Sequence, residues 1–261
     1  MNKGLWINTL NQSLAFSPVY AASTLTESVF WPGCSALKLE PELIHRTLEA
    51  MKEEIPEIGF SSWCCGKPTL AVGTEKQKST VNRQLTDYFA NSGIRHVYSL
   101  CPNCIKTLGN RSDVTVHSAW PILARYTARH PGSSSAFPDQ VILHDPCASR
   151  RDVLSQQAAR EILTLRGIEP VEFSDNRQQT RCCGRLNMIF LTAPEGSKKM
   201  LDERLAAAHD LPIATYCESC VESFRKAGRQ SIHLLEVIFD QKADRGILNR
   251  LRNAHRRLNY D

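Results

Sequence analysis

The residues with chemical potential in this chain are its ten cysteines. They stand at Cys34, Cys64, Cys65, Cys101 and Cys104, and again at Cys147, Cys182, Cys183, Cys217 and Cys220. Each set reads a single cysteine, an adjacent pair, then Cys-x-x-Cys, with none left over. The intervening stretches are 29 and 35 residues in the first set, 34 and 33 in the second. Scattering ten cysteines at random over such a chain gives roughly 0.4 adjacent pairs and roughly 0.4 Cys-x-x-Cys pairs. Two of each, in the same order, mark a duplication.

Five thiols per repeat admit three readings. A structural disulfide framework belongs to small secreted chains, whereas this one has 261 residues. Its first residues make a poor secretory signal, because Asn8, Asn11, Gln12, Ser13 and Ser17 interrupt the apolar run that such a signal needs. Reduced thiols in the cytoplasm are therefore expected. Zinc takes four thiolates in a tetrahedron, which would leave one cysteine spare in each repeat, and each repeat has one Cys-x-x-Cys knuckle where a zinc ribbon usually has two. Iron–sulfur clusters place several irons among the thiolates and need no fixed short spacing. The ferredoxin run C-x2-C-x2-C-x3-C-P is absent.

The flanks of the cysteines say what must position them. Ser28-Val29-Phe30-Trp31-Pro32-Gly33-Cys34 parallels Val141-Ile142-Leu143-His144-Asp145-Pro146-Cys147: an apolar strand, a proline, a cysteine. Cys64-Cys65-Gly66-Lys67 parallels Cys182-Cys183-Gly184-Arg185, and the run ending in Leu100-Cys101 parallels that ending in Tyr216-Cys217. Helical periodicity predicts helices over 41–54, 74–91, 151–165 and 197–208, with Thr74 and Gln77 forming a capping box and Gly93 a stop. Strands are predicted at 94–100 and 213–216. Strands alternating with helices predict an α/β fold of two pseudo-symmetric, tandem Rossmann-like units with mostly parallel sheets. Cys34, Cys101, Cys147 and Cys217 then lie at the carboxyl ends of strands, where open α/β sheets gather their ligands. The expected organisation is an N-terminal arm (1–27), a first cysteine-rich domain (28–130), a second (139–240) and a basic C-terminal tail (241–261).

With these motifs the chain resembles the CCG cysteine-rich domain, which occurs twice in one of the subunits of heterodisulfide reductase. Related subunits of anaerobic glycerol-3-phosphate dehydrogenase, lactate-utilisation complexes and some succinate or fumarate oxidoreductases carry it too. The resemblance covers about residues 28 to 240. It implies two iron–sulfur clusters of the 4Fe-4S class, noncubane in the heterodisulfide reductase branch. Each would be held by all five cysteines of its repeat, as cofactor-binding and metal-ligating residues alike. It further implies disulfide reduction, one electron from each cluster, with electrons delivered by a partner flavin or iron–sulfur protein. A non-catalytic relay passing electrons from a dehydrogenase towards quinone is the alternative, and a zinc-stabilised scaffold the alternative of another class. One departure from the family pattern is that the second CCG is followed by Arg185-Leu186-Asn187-Met188 in place of a glycine-rich stretch.

Other residues admit roles at the site. Lys67 and Arg185 could offset cluster charge or hold an acidic thiol substrate, or simply be solvated. His144 and Asp145 could pass a proton to a thiolate, though a strand-end hydrogen-bonding role is the commoner one. His117 and His233 recur at matching positions, as repeat packing requires. Trp31 and Trp63 flank Cys34 and Cys64 and are expected to shield the first site from water. In the tail, Arg245, Arg250, Arg252, Arg256 and Arg257 alternate with Leu248, Leu251 and Leu258, so that a basic amphipathic helix could meet an anionic membrane or an acidic partner.

Composition sets the outer bounds. The chain is 42% hydrophobic and carries a formal charge of +5 spread along its length, with a mean hydropathy of −0.31. No apolar run reaches the ~18–20 residues of a membrane span, and no concentrated basic face speaks for nucleic acid. No glycine-rich nucleotide fingerprint or P-loop is present. The expected location is cytoplasmic, with a peripheral position at the inner membrane if the tail binds lipid.

Overall fold

The computed structural model describes residues 23–24 and 26–255. Most of the N-terminal arm, and with it the reading of the signal region, lies outside the described residues, as do Arg256, Arg257 and Leu258.

The chain forms two compact α/β units. In the first, β1 (Ser23–Thr24), β2 (Ser28–Trp31), β3 (Gly59–Ser61), β4 (His96–Ser99) and β5 (Thr115–Ser118) lie in the order β1-β3-β2-β4-β5. β2 runs parallel to both β3 and β4, and β1 is antiparallel to β3. In the second, β6 (Gln140–His144), β7 (Glu169–Glu172), β8 (Ile213–Thr215) and β9 (Ser231–His233) form an all-parallel sheet in the order β7-β6-β8-β9. Leaving β1 aside, the two orders are the same. The duplication read from the cysteines is a duplication of topology.

Helices cover the sheets where apolar periodicity predicts them. Helix Pro41–Lys52 buries Leu43, Ile44, Leu48 and Met51, with Pro41 in its first turn, where the missing N–H costs nothing. Helix Glu75–Ser92 has the expected capping box at Thr74 and Gln77 and ends at Gly93 in the left-handed region, φ 72°. Its buried face is Val81, Leu85 and Phe89, and each such side chain taken from water stabilises by about 1.5–3 kcal/mol. In the second unit, helix Val153–Leu165 is capped by Asp152, whose carboxylate accepts from the Ser155 N–H. Helix Pro194–Ala206 begins three residues ahead of its expected start and buries Arg204 where a hydrophobe would be usual.

The compact units divide the chain differently from the repeat. The first runs to His117 and resumes at Asp244, and the second is Ser118–Ala243. Helix Trp120–Arg129, expected in the first domain, lies in the second unit, burying Trp120, Ile122 and Leu123. The tail is not a free basic appendage. Its helix Ile247–His255 is tied to the first unit by Asn253, whose side-chain amide donates to the carbonyls of Leu37 and Leu39 at 2.9 and 2.8 Å. Buried Asn249, Asn253 and Ala254 form its inner face, while Ile247, Leu248 and Leu251 point outward. Two carbonyls needing donors outweighed the burial of leucine there.

Candidate metal centres

In the first sheet the chain runs from β2 to β3 and then crosses to β4, and in the second it runs from β6 to β7 and then crosses to β8. The switch point therefore falls between β2 and β4 in one unit and between β6 and β8 in the other. Ligands gather at the carboxyl ends of strands at such a point. Cys34 follows β2, and Cys101 follows β4 as the N-cap of helix Pro102–Leu108, which places Cys104 in its first turn. Cys147 follows β6, and Cys217 caps helix Glu218–Lys226 after β8, with Cys220 in its first turn. The vicinal pairs arrive from the next loop, each turned by a left-handed glycine: Gly66 at φ 75° and Gly184 at φ 85°.

The five thiols of each unit meet. In the first unit hydrogen bonds link Cys34 to Cys64, Cys64 to Cys65, Cys65 to Cys104 and Cys104 to Cys101. In the second, the Sγ atoms of Cys147 and Cys182 are 3.7 Å apart and those of Cys183 and Cys220 3.1 Å, with Cys182 bonded to Cys183 and Cys217 to Cys220. The order along this chain of sulfurs is the same in both units. All ten cysteines are free, seven of them buried, while Cys34, Cys101 and Cys147 are half-buried.

Backbone geometry fits the sulfurs closely. A Cβ on Gly33 would come 2.6 Å from Cys101 Cβ and 3.4 Å from the sulfurs of Cys101 and Cys104, so only glycine fits beneath that pair. The N–H of Gly66 donates to Cys64 Sγ at 3.4 Å, and that of Leu186 to Cys182 Sγ at 3.2 Å. The Arg185–Met188 loop thus serves its cysteine through the main chain, aided by left-handed Asn187 and Met188, φ 45° and 63°.

Charge sharing follows from this crowding. Cys65 is lowered to about 6 by hydrogen bonds with Cys104 and Cys64, against the upward push of burial. Hydrogen bonds with Cys147, then Cys183, lower Cys182, and the bond with Cys220 lowers Cys217. Other members are pushed up: Cys34 through its bond with Cys64, Cys104 through Cys101, and Cys147 through Cys182. Five thiolates cannot share a buried site without compensation, so protons or a cation must supply it. An all-sulfur donor set selects soft metals.

A family model described as "CCG: Cysteine-rich domain" matches residues 28–109 and 141–225. The chain belongs to the CCG cysteine-rich family. Its two matches coincide with the two sulfur clusters. The CCG chain is also similar to a protein named EtfAB:quinone oxidoreductase from Syntrophomonas wolfei subsp. wolfei, at 23% identity over 169 residues. That stretch is 60% of this chain and 24% of the relative, so the chain spans about a quarter of that protein's length. Among solved structures, a glutamate racemase isoform of Bacillus anthracis aligns over 81% of this chain and 77% of its own, with a TM-score of 0.35 and 10% identity. The aspartate racemase of Picrophilus torridus aligns over 87% and 98%, with a TM-score of 0.34 and 10% identity.

The remaining candidate residues of the CCG chain divide sharply. Asp145 is fully buried and spoken for: Arg160 grips it in a fork at 3.0 and 2.8 Å, and the Tyr216 hydroxyl and the Arg177 N–H donate to it. Burial pushes its pKa up, but the Arg160 bonds and charge outweigh that and hold it below the usual carboxylate range. Asp145 is a structural anion. His233 caps helix Leu234–Ile238 by accepting from the Leu235 N–H, and His117 stacks on Tyr98 beside His96. Arg185 lies over the Phe190 ring and 4.0 Å from Glu222, whereas Lys67 borders a cleft of about 700 Å³ with Lys106 and Arg111. The two therefore serve different surroundings. Trp63 stacks on Tyr88 at 3.9 Å, and Trp31 packs between Tyr88 and Phe89, an aromatic wall in the core that holds Cys64, Cys65 and Cys104. Local sequence carries no hint of Arg204, a residue in the last turn of its helix, sealed inside the second unit with its guanidinium 3.4 Å from the Phe173 ring. Nor does it point to Arg250, whose charge, with that of Lys38, lowers the pKa of Cys34 against the stronger upward pull of Cys64.

Proposed function

We propose that the chain is an iron–sulfur redox protein with one 4Fe-4S cluster in each unit. The ligands are Cys34, Cys64, Cys65, Cys101 and Cys104 in the first unit and Cys147, Cys182, Cys183, Cys217 and Cys220 in the second. The observation that carries this reading is the sulfur chain itself, five members long and in the same order twice. Zinc would use four of the five. When bound, each cluster supplies reversible one-electron chemistry. The protein's own groups set its surroundings: the N–H groups of Gly66 and Leu186 donate to the sulfurs of Cys64 and Cys182. Burial of seven sulfurs keeps water away, and half-buried Cys34, Cys101 and Cys147 leave each site a partly exposed approach.

The acceptor in this reading is a disulfide, reached along that approach, and the donor is a flavin or iron–sulfur partner, since the sequence holds no nucleotide fingerprint of its own. Likeness to a quinone oxidoreductase favours a second reading, an electron relay towards quinone. Anaerobic purification with iron, sulfide and zinc analysis tests the cofactor: about eight irons per chain are expected, and one or two zincs without sulfide would overturn it. Paramagnetic resonance of the oxidised protein separates the two acceptors. A signal that changes on adding thiol supports disulfide chemistry, and indifference to thiol supports the relay.

A further inference from the structure

The last residue of β6, His144, is fully buried beside the second sulfur chain. One of its ring nitrogens and the Sγ atoms of Cys183 and Cys220 all lie within 4.8 Å of one another. That closeness alone would suit a ligand as well as a hydrogen-bond donor. Arg204 decides between them. Its Nε–H donates to His144 Nδ1 at 3.1 Å, while its other nitrogens donate to the Asp175 carbonyl at 3.0 Å and the Thr180 hydroxyl at 3.4 Å. A guanidinium has donors only. Nδ1 must therefore present its lone pair, and the single proton of the neutral ring sits on Nε2. Nε2 is buried and has no hydrogen-bond partner among the described residues. A protonated Nε2 cannot ligate a metal, but it can donate to sulfur.

The first unit repeats the position. Trp31 ends β2 and pairs with Ser99, two residues before Cys101, just as His144 pairs with Thr215, two before Cys217. The Trp31 indole N–H is likewise buried without a partner among the described residues. A donor with nothing to bond to in a protein core costs about 1–3 kcal/mol, and these two stand at the same register position of their sheets.

Resting on the iron–sulfur reading above, we infer that His144 is a positioning residue of the second centre, donating an Nε2–H···S hydrogen bond in a tautomer fixed by Arg204. A donor on sulfur stabilises the more negative, reduced state, so this bond raises the reduction potential of the second centre. The cation of Arg204 behind the ring acts in the same direction, whereas the first centre has an indole among aromatic rings.

The test is a spectroscopic redox titration of the full chain, anaerobically loaded, as wild type, His144→Leu and His144→Gln, with iron measured in each. The expected result is unchanged iron in all three. One midpoint shifts downward in His144→Leu while the other stays fixed, and His144→Gln, which keeps an N–H, recovers part of the shift. Loss of about half the iron from His144→Gln would make the residue a ligand, and unmoved midpoints in His144→Leu would make it mere packing. Either overturns the inference. Wild-type protein free of iron would defeat the cofactor reading itself, and this inference with it. Should His144→Leu fail to fold, electron–nuclear double resonance of wild type labelled with 15N-histidine decides. A weak nitrogen coupling with a deuterium-exchangeable proton is expected; strong coupling indicates ligation, no coupling indicates no bond, and both overturn it.

Discussion

At the scale of single residues, the thiols are the most legible part of the molecule, because a ligand set is conveyed by residue type and spacing. Cys65 and Cys183 each sit mid-chain in their sulfur clusters. Cys65→Ser and Cys183→Ser are expected to halve the iron content, each by emptying one unit, and full iron in both variants would contradict the two-centre reading. What local sequence could not convey is the partner of a partner. His144 reads on its own as a strand-end histidine; its meaning comes from Arg204, sixty positions away. Asp145 shows the same limit in reverse, since its proximity to Cys147 suggests acid–base chemistry that Arg160 and Tyr216 forbid. Asp145→Asn should destabilise the second unit by about 3 kcal/mol, as removal of one member of a buried ion pair does; thermal unfolding measures it. The folded pKa of Asp145 lies below its unfolded value of roughly 3.9, so its contribution is complete above that pH. It fades only as pH falls through the lowered value, and the wild-type-to-variant difference in melting temperature should vanish in acid, not near neutrality.

At the scale of elements, helices with an apolar stripe and clear caps were legible to within two or three residues. Thr74, Gln77 and Gly93 specify both ends of one helix by local chemistry alone. β3 and β7 were not legible. β3 is only three residues, Gly59–Ser61, and β7 carries Pro170 within Glu169–Glu172, so neither has a periodic signal to read. The tail was read from its leucines, yet its inner face is asparagine, a choice made by the unsatisfied carbonyls of Leu37 and Leu39 on the short turn after Cys34. Asn253→Ala should therefore speed the loss of iron from the first centre and leave the second untouched, which timed chelator extraction would show. Gly33→Ala should be harsher. A side chain at φ 86° that meets Cys101 at 2.6 Å must displace that cysteine, and iron in the first centre should fall to near zero.

For the whole molecule, the repeat predicts the pair of sheets and the pair of sulfur chains, but not the exchange of helices between repeat and unit. Helix Trp120–Arg129, expected within the first cysteine-rich domain, lies in the second unit, while the tail helix, which follows the second family match, lies in the first unit. Ending the chain after Ala243 should accordingly lower the stability of the first unit and leave the second at its full melting temperature, an outcome that hydrogen exchange resolves unit by unit. There is also a consequence for biosynthesis. A ribosome makes the strands of the first unit early, yet it must translate the entire second unit before Asn253 emerges to close the turn behind Cys34. The half of the protein that is begun first is thus finished last, and on the iron–sulfur reading a prematurely terminated product should show its weakness in the first centre, at the opposite end of the sequence from the missing residues.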